Sequence, residues 1–366
     1  MELENPFSPT FGNRPSEIIG RQNSIDRFLA GLAGRPGHPN RATLFIGQRG
    51  MGKTALLLEL ANKAEDLGFI PVRVTANHRM LDNIIEKIQL QGSQHIPKKN
   101  KYLKGFSAGA LGFSLGLTFS DEIQNNYGFQ TKLALLCEEL AKHDKGILFL
   151  VDEVRSTSDE VRELATGYQE LVGDGANVAI ALAGLPAAIS SVLNDDILTF
   201  LNRANKEPLE MLSATEISTY FHQTFAELGI DIEGKQTERA ATATKGYPYL
   251  LQLIGYYLVE LARSTLSVDA ETADLAIRNS KSDMIENTFA PILKPLSQED
   301  MNFLQAMSKD TGKSRVSDII RRTGKTSAHA QTYKTRLIEA EIIASESRGL
   351  LEFQVPYLGE FLRKEF

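Results

Sequence analysis

The stretch TLFIGQRGMGKTALLLEL, residues 43–60, decides the fold. Within it Gly47-Gln48-Arg49-Gly50-Met51-Gly52-Lys53-Thr54 fits the spacing G-x-x-x-x-G-K-[ST], with an apolar run before it and an apolar-periodic helical pattern from Ala55 onward. Glycines let the backbone curl so that successive N–H groups face one phosphate chain. The N-terminus of the following helix adds its dipole, and Lys53 adds a point charge. The reading is strand, phosphate loop, helix. Residues Gly47 to Ala55 line a nucleotide, and the Thr54 hydroxyl holds Mg²⁺.

Outward from the loop, strand-like and helix-like segments alternate. Ser24 offers a cap to a helix with Ile25, Phe28, Leu29 and Leu32 on one face, broken by GRPGHPN at 34–40; NPFSPTFGNRP at 5–15 reads as an irregular lead-in. Downstream come a strand at 70–75, a helix at 80–89, a helix at 129–142, the strand ILFLV at 147–151, a helix at 157–172 and the strand NVAIALA at 177–183. Such βα alternation with continuous apolar strands predicts a parallel sheet covered on both faces, an α/β sandwich of the P-loop NTPase kind. ILFLVDEV supplies the partner of the loop: Asp152, directly after a buried strand, reaches the metal, and Glu153 polarises the attacking water. Residues 91–128 interrupt the alternation as an insertion. Its four lysines (98, 99, 101, 104) precede the Gly-rich segment 105–119, which is shorter than the ~20 residues a spanning helix needs and is expected to be a buried hairpin or a subunit contact.

After Pro208 the pattern is wholly helical, with helices expected at 213–228, 236–244, 248–264 and 269–287. APILKPLS, residues 290–297, reads as a linker. From 297 onward three short helices precede two strand-like runs around a polar Arg-Gly turn, a winged-helix pattern. The expected domains are an ATPase core at 1–207, a helical lid at 208–290 and a winged helix at 295–366. In the last of these, Lys313, Arg315, Arg321, Arg322, Lys325, Lys334 and Arg336 face one acid between 313 and 336, Asp318. Arg321, Arg322, Lys325, Ser327, His329, Gln331 and Lys334, with Arg348 at the wing tip, are the candidate contacts to DNA phosphates and base edges. Winged helices also dock proteins, and that alternative stays open.

Composition excludes several classes. The chain has 366 residues, 42% of them hydrophobic and 23% charged, which suits two or three folded domains rather than disorder. A net charge of −6 argues against a chain that coats nucleic acid over its whole surface. The single cysteine, Cys137, excludes an internal disulfide and a cysteine zinc site, and its setting LALLCEEL reads as a buried helical position. Six histidines show no ligand spacing with carboxylates, and Ser190 and Ser191 lack a nucleophile-elbow setting. With no secretory signal pattern or spanning run, a cytoplasmic protein without membrane contact is expected.

These motifs resemble the AAA+ ATPases. Within them the chain is similar to bacterial ATP-binding proteins of the origin-recognition and replication-initiator clade that end in a winged helix. The carriers are PSEIIGRQNSIDRF, GQRGMGKT, ILFLVDEV, NVAIALAGLP, FLNRANKEPLEMLS and GYPYLLQLIG. The resemblance implies that Ile19, Gly20 and Arg21 lie near the adenine, with a plain surface position at a helix end the open alternative for Arg21. It also implies that Arg203 is an arginine finger acting on a neighbouring subunit, hence a homo-oligomer or a complex with a partner ATPase; a solvated surface arginine is the alternative there. Two departures bear on turnover. Ala183 and Gly184 stand where many relatives carry a polar sensor side chain, and Gly246-Tyr247-Pro248-Tyr249 lacks the lid arginine, with Lys245 poorly placed to replace it. Both departures also occur in signal-transducing, STAND-like ATPases. The expected function is an ATP-hydrolysing, initiator-like switch that binds DNA, slow or partner-stimulated. A STAND-like regulatory or defence ATPase whose winged helix contacts protein is the alternative. A small-molecule kinase is disfavoured by the Asp152-Glu153 pair, the helical lid and the lack of an acceptor site.

Overall fold

The computed structural model describes residues 4–10, 15, 17–96, 113–115, 117–154, 158–347 and 349–365. The chain divides into two compact units, Gly12–Glu210 and Met1–Phe11 with Met211–Phe366.

The α/β unit begins with α1 (Gln22–Ala33), β1 (Ala42–Ile46), α2 (Lys53–Asp66), β2 (Phe69–Thr75) and α3 (Met80–Gly92). A short hairpin of β3 (Phe113–Leu115) and β4 (Thr118–Phe119) and the helix α4 (Asp121–Asn126) lead to α5 (Phe129–Ala141). Then come β5 (Gly146–Val154), α6 (Asp159–Gly173), β6 (Val178–Gly184), α7 (Pro186–Leu193), the 3₁₀ turn Thr199–Arg203 and β7 (Asn205–Pro208). The five main strands lie in the order β2-β5-β6-β1-β7, and every neighbouring pair is parallel. Because successive side chains of a strand point to opposite faces, the sheet carries two cores. Ile147, Phe149 and Val151 pack with α3, α5, α6 and α7 on one face, while Phe45 of β1 points to the other and meets Phe28 of α1. Helices therefore cover both faces, as the continuous apolar strands require.

Two local features differ from expectation. Ser24 does not cap α1; the cap position is Arg21, and the Ser24 hydroxyl donates instead to Glu207 at 3.0 Å. β7 is a fifth strand that the sequence does not announce, because an edge strand of four residues, NKEP, carries no apolar run. Of the insertion, the lysines and glycines of 97–112 lie outside the described residues. The described part is an antiparallel hairpin whose Leu117 is buried against α3, with the Leu117 amide donating to Ser93 Oγ at 3.2 Å. Cys137 is buried on α5, and burial pushes its thiol up to about 12.

In the second unit, α8 (Ala214–Glu227), α9 (Gly234–Ala243), α10 (Pro248–Ala262) and α11 (Ala270–Met284) are helices close to their expected bounds. They are not wholly helical company: β8 (Asp231–Ile232) and β9 (Ser267–Val268) form a parallel pair, two residues each, too short to leave a period in the sequence. The first half of the expected linker is helix. A π-helical turn, Ile285–Phe289, runs into α12 (Ala290–Leu293), and Pro291 is tolerated because the first helical turn has no use for its missing N–H. There follow α13 (Gln298–Ser308), β10 (Ser314–Arg315), α14 (Val316–Thr323), α15 (Ser327–Glu339), β11 (Ile343–Ser347), β12 (Leu350–Phe353) and α16 (Leu358–Glu365). The expected hairpin is present and gains β10 as a third strand, in the order β10-β12-β11; α16 extends the expected three helices. Among the described residues no helix is long and apolar enough to cross a membrane.

The lead-in belongs with this second unit. Phe7 is 2% exposed and packs on the rings of Tyr220, Phe221 and Phe225. Gly255 makes room for it, since a Cβ there would lie 2.3 Å from the Phe7 ring. The Ser8 amide donates to Gln252 Oε1 at 3.0 Å, which fixes the segment on α10. Phe7→Ala is expected to destabilise this unit by about 3 to 5 kcal/mol, as large-to-small changes of buried aromatics do. Thermal unfolding checks it, and an unchanged melting curve would contradict this packing.

Candidate nucleotide site

The strand β1 delivers the loop to the end of the sheet, and α2 carries its last residues away. Gly50 and Gly52 have φ of 75° and 83°, the left-handed region that disfavours side chains, so the G-x-G spacing here is a backbone requirement. The first α2 bond runs from the Leu56 amide to the Gly52 carbonyl at 2.9 Å. The amides of Lys53, Thr54 and Ala55 therefore lie ahead of the helical ladder, where a helix N-terminus meets an anion. Lys53 Nζ donates to the carbonyls of Gly47 at 2.6 Å and Gln48 at 2.8 Å, so the ammonium is folded over its own loop.

Asp152 reaches the same place from β5. Thr54 Oγ1 donates to Asp152 Oδ2 at 2.6 Å, and the Glu153 amide donates to Asp152 Oδ1 at 2.8 Å. The Thr54 hydroxyl and the Asp152 carboxylate form an oxygen donor set that suits Mg²⁺, while the Lys53 ammonium and the amides of the loop suit phosphate, so the residues present fit both groups. Glu153 is exposed and has φ of 53°, and the β5–β6 register shifts between Val151 and Val154. A non-glycine residue held in this region carries strain of order 1–3 kcal/mol, which is found where a side chain must be aimed. The end of β6 offers no polar side chain. Ala183 is buried, the Gly184 carbonyl accepts from the Gly47 amide at 3.2 Å, and a Cβ on Gly184 would lie 2.8 Å from the Val154 carbonyl oxygen.

Ile19 and Gly20 form a turn, with Gly20 at φ 66°. Arg21 is 8% exposed, so the plain surface position is a reading the structure corrects. Its Nη2 donates to the Glu210 carbonyl at 2.6 Å. Arg203 ends the 3₁₀ turn and is exposed. Lys245, at φ 51°, lies 2.9 Å from Glu360 and 3.9 Å from the centre of the Tyr357 ring, within its own unit. Two residues that sequence reasoning passed over support the site. Glu207 on β7 is 6% exposed and accepts from Ser24, Arg27 and Asn205, and Leu209 closes against Gly47.

The C-terminal cations are less available than their number suggested. Arg322 makes a bidentate pair with Asp310 at 2.5 and 2.8 Å and donates to the Ala306 carbonyl at 2.7 Å. Its bonds hold the Asp310 carboxyl below the usual carboxylate range. Lys325 pairs with Glu299 at 2.9 Å and Arg336 with Asp300 at 2.6 Å, so the acids come from α13 and from Asp310 two residues beyond it, all ahead of the cationic stretch 313–336. Arg321, 76% exposed, pairs with Asp318 at 2.9 Å. Ser327, His329 and Gln331 are exposed on the first turns of α15, with Lys334 half-buried one turn further on. Arg348 lies outside the described residues.

The chain has the fold of the P-loop ATPases over nearly its whole length. It superposes on the Walker-type ATPase PABY2304 of Pyrococcus abyssi with a TM-score of 0.67 and 16% identity, over 96% of this chain and 97% of that one. The Aeropyrum pernix ORC2 protein, in ADPNP–ADP complexes, matches with a TM-score of 0.64 and 15% identity over 97% and 95%. Cdc6p from Pyrobaculum aerophilum matches at 0.52 and 16% over 98% and 97%. A family model described as a domain of unknown function, DUF8462, matches residues 286–362. No curated protein matches.

Proposed function

We propose that the chain is an ATP-binding and ATP-hydrolysing nucleotide switch of the AAA+ type, similar to the origin-recognition and replication-initiator clade. The observation that carries this is the 2.6 Å contact between Thr54 and Asp152 at the loop over which Lys53 folds, with Glu153 exposed on a strained backbone. When bound, Mg²⁺ would neutralise phosphate charge. Thr54 and Asp152 would hold that ion, Lys53 would leave its own loop carbonyls for the phosphates, the loop amides would orient them, and Glu153 would take a proton from the attacking water. The ORC2 protein of like fold carries ADPNP and ADP, in keeping with this reading.

Arg203 is proposed as a finger that acts on a neighbouring copy or a partner ATPase, since it is exposed at the end of a turn and the chain's own Lys53, Thr54 and Asp152 are brought together without it. Arg203→Ala should leave ATP affinity unchanged and lower turnover by ~10³-fold or more. Mixing it with a Glu153→Gln chain should restore part of the rate. Full turnover by a monomeric Arg203→Ala chain would contradict the role.

The C-terminal segment, read as a winged helix, is proposed to bind DNA through its exposed polar and cationic residues. Arg321→Gln and Lys334→Gln should each lower the salt slope of log affinity by roughly 0.9, while Ser327, His329 and Gln331 set preference among sequences at about 1–3 kcal/mol per good base contact. Arg322→Gln should instead lower thermal stability, because it removes the bidentate partner of Asp310. The pairing of Arg322, Lys325 and Arg336 with acids favours a second reading, in which this face docks a protein as in STAND-like regulators. A duplex titration over a salt series decides: slopes that ignore Arg321 and Lys334 give the face to a protein partner.

A further inference from the structure

Arg21 stands next to the turn where the resemblance put the adenine, yet its guanidinium faces inward and is engaged. Nη2 donates to the Glu210 carbonyl at 2.6 Å, and Nη1 approaches the Gly20 carbonyl at 3.4 Å. A buried guanidinium is costly unless its donors are used, and its rigid fork makes such a tie geometrically specific. Glu210 is the last residue of the α/β unit. The residue before it, Leu209, donates its amide to the Ile46 carbonyl at 2.7 Å, and a Cβ built on Gly47 would lie 3.1 Å from Leu209 Cβ. The segment leaving the unit is thus held on one side by the first residue of the phosphate loop and on the other by Arg21. A second tie lies two residues earlier on the strand. Glu207 accepts from Ser24 at 3.0 Å and Arg27 at 2.6 Å, so the first two turns of α1 and the strand β7 are fastened together.

We infer that Arg21 is a positioning residue that fastens the exit segment 209–210 to the nucleotide site, so that ordering of the phosphate loop is passed to the chain leaving the α/β unit. The inference rests on the reading of residues 47–54 as a nucleotide loop. Phosphate drawn into the loop restrains Gly47, against which Leu209 packs; Leu209 can follow only if Glu210 is held, and Arg21 holds it. A ligand can shift such a segment only through contacts that differ between the bound and free states, and the Gly47–Leu209 contact is where they differ.

The test measures ADP affinity by calorimetry and backbone hydrogen exchange with and without ADP, on the full chain and on Arg21→Ala and Arg21→Lys. In the unsubstituted chain ADP slows exchange across 205–212 by about tenfold or more. Arg21→Ala binds ADP within about threefold of the parent, but the slowing across 205–212 is lost while that over 47–56 remains. Arg21→Lys, with one compact donor in place of the fork, keeps only part of it, and it decides the matter if the alanine variant does not fold. Full slowing at 205–212 in either variant overturns the inference. So does a loss of ADP affinity beyond ~30-fold with 205–212 still protected, which would make Arg21 a ligand of the base. Faster exchange spread evenly over the unit, with the ADP effect intact, would make it a packing residue and overturn the inference equally. If the unsubstituted chain binds no ADP, the nucleotide reading fails first and takes this inference with it; binding without slowing at 205–212 overturns the inference alone.

Discussion

Glu153→Gln is expected to stop ATP turnover while ATP still binds. The side chain sits one residue beyond Asp152, on a backbone at φ 53°, and its amide is tied to Asp152 Oδ1 at 2.8 Å. Its direction is therefore fixed by the residue that would hold the metal. Glutamine keeps the volume and this backbone bond but cannot accept a proton from water. Loss of a positioned general base costs about 10²- to 10⁴-fold in rate, and kcat should fall by that factor with binding within about threefold. Phosphate release and a calorimetric titration on the same preparation check both halves. A variant that hydrolyses at the parent rate would place the base elsewhere.

Lys53→Ala is expected to remove binding itself. The ammonium now donates to the carbonyls of Gly47 and Gln48, so it lies over the loop rather than in solvent. Truncating one partner of a charged, hydrogen-bonded pair costs about 2–5 kcal/mol, which corresponds to roughly a 30- to 4,000-fold loss of ATP affinity. The glycine backbone of the loop stays intact, so thermal stability without nucleotide should change little. ATP should raise the melting temperature of the parent and not of the variant. An equal rise in both would show that phosphates bind without this lysine.

Much of the α/β unit is legible in the sequence because its signals are long or chemically singular. β5 and β6 hold continuous apolar runs, β2 is apolar except at Arg73 and Thr75, and the loop's spacing is a backbone necessity visible as glycine at 50 and 52. What escapes is short or distant. β7 has four residues and an edge position, and β8 and β9 have two residues each, so none of them repeats a period. The π-helical turn before α12 shows that proline and a mixed composition read as a linker can continue a helix when the proline falls in a first turn. Phe7 looks like part of a coil because its partners, Phe221 and Phe225, are more than two hundred residues away.

The site divides in the same way. Lys53, Thr54, Asp152 and Glu153 are found from local motifs, and the structure brings them together. The charge count between 313 and 336 could not reveal the acids that meet it, since Glu299, Asp300 and Asp310 precede that window. Arg21 reads equally well as a surface or a ligand residue until Glu210 is seen beside it, about 190 residues along the chain.

The most direct measurement is phosphate release from ATP by the full chain, with Mg²⁺ and with the metal chelated, beside the Glu153→Gln and Lys53→Ala chains. The account predicts release that requires Mg²⁺, however slow, and that falls by about 10²-fold or more in both variants. No release above that of the two variants, with or without Mg²⁺, would contradict it.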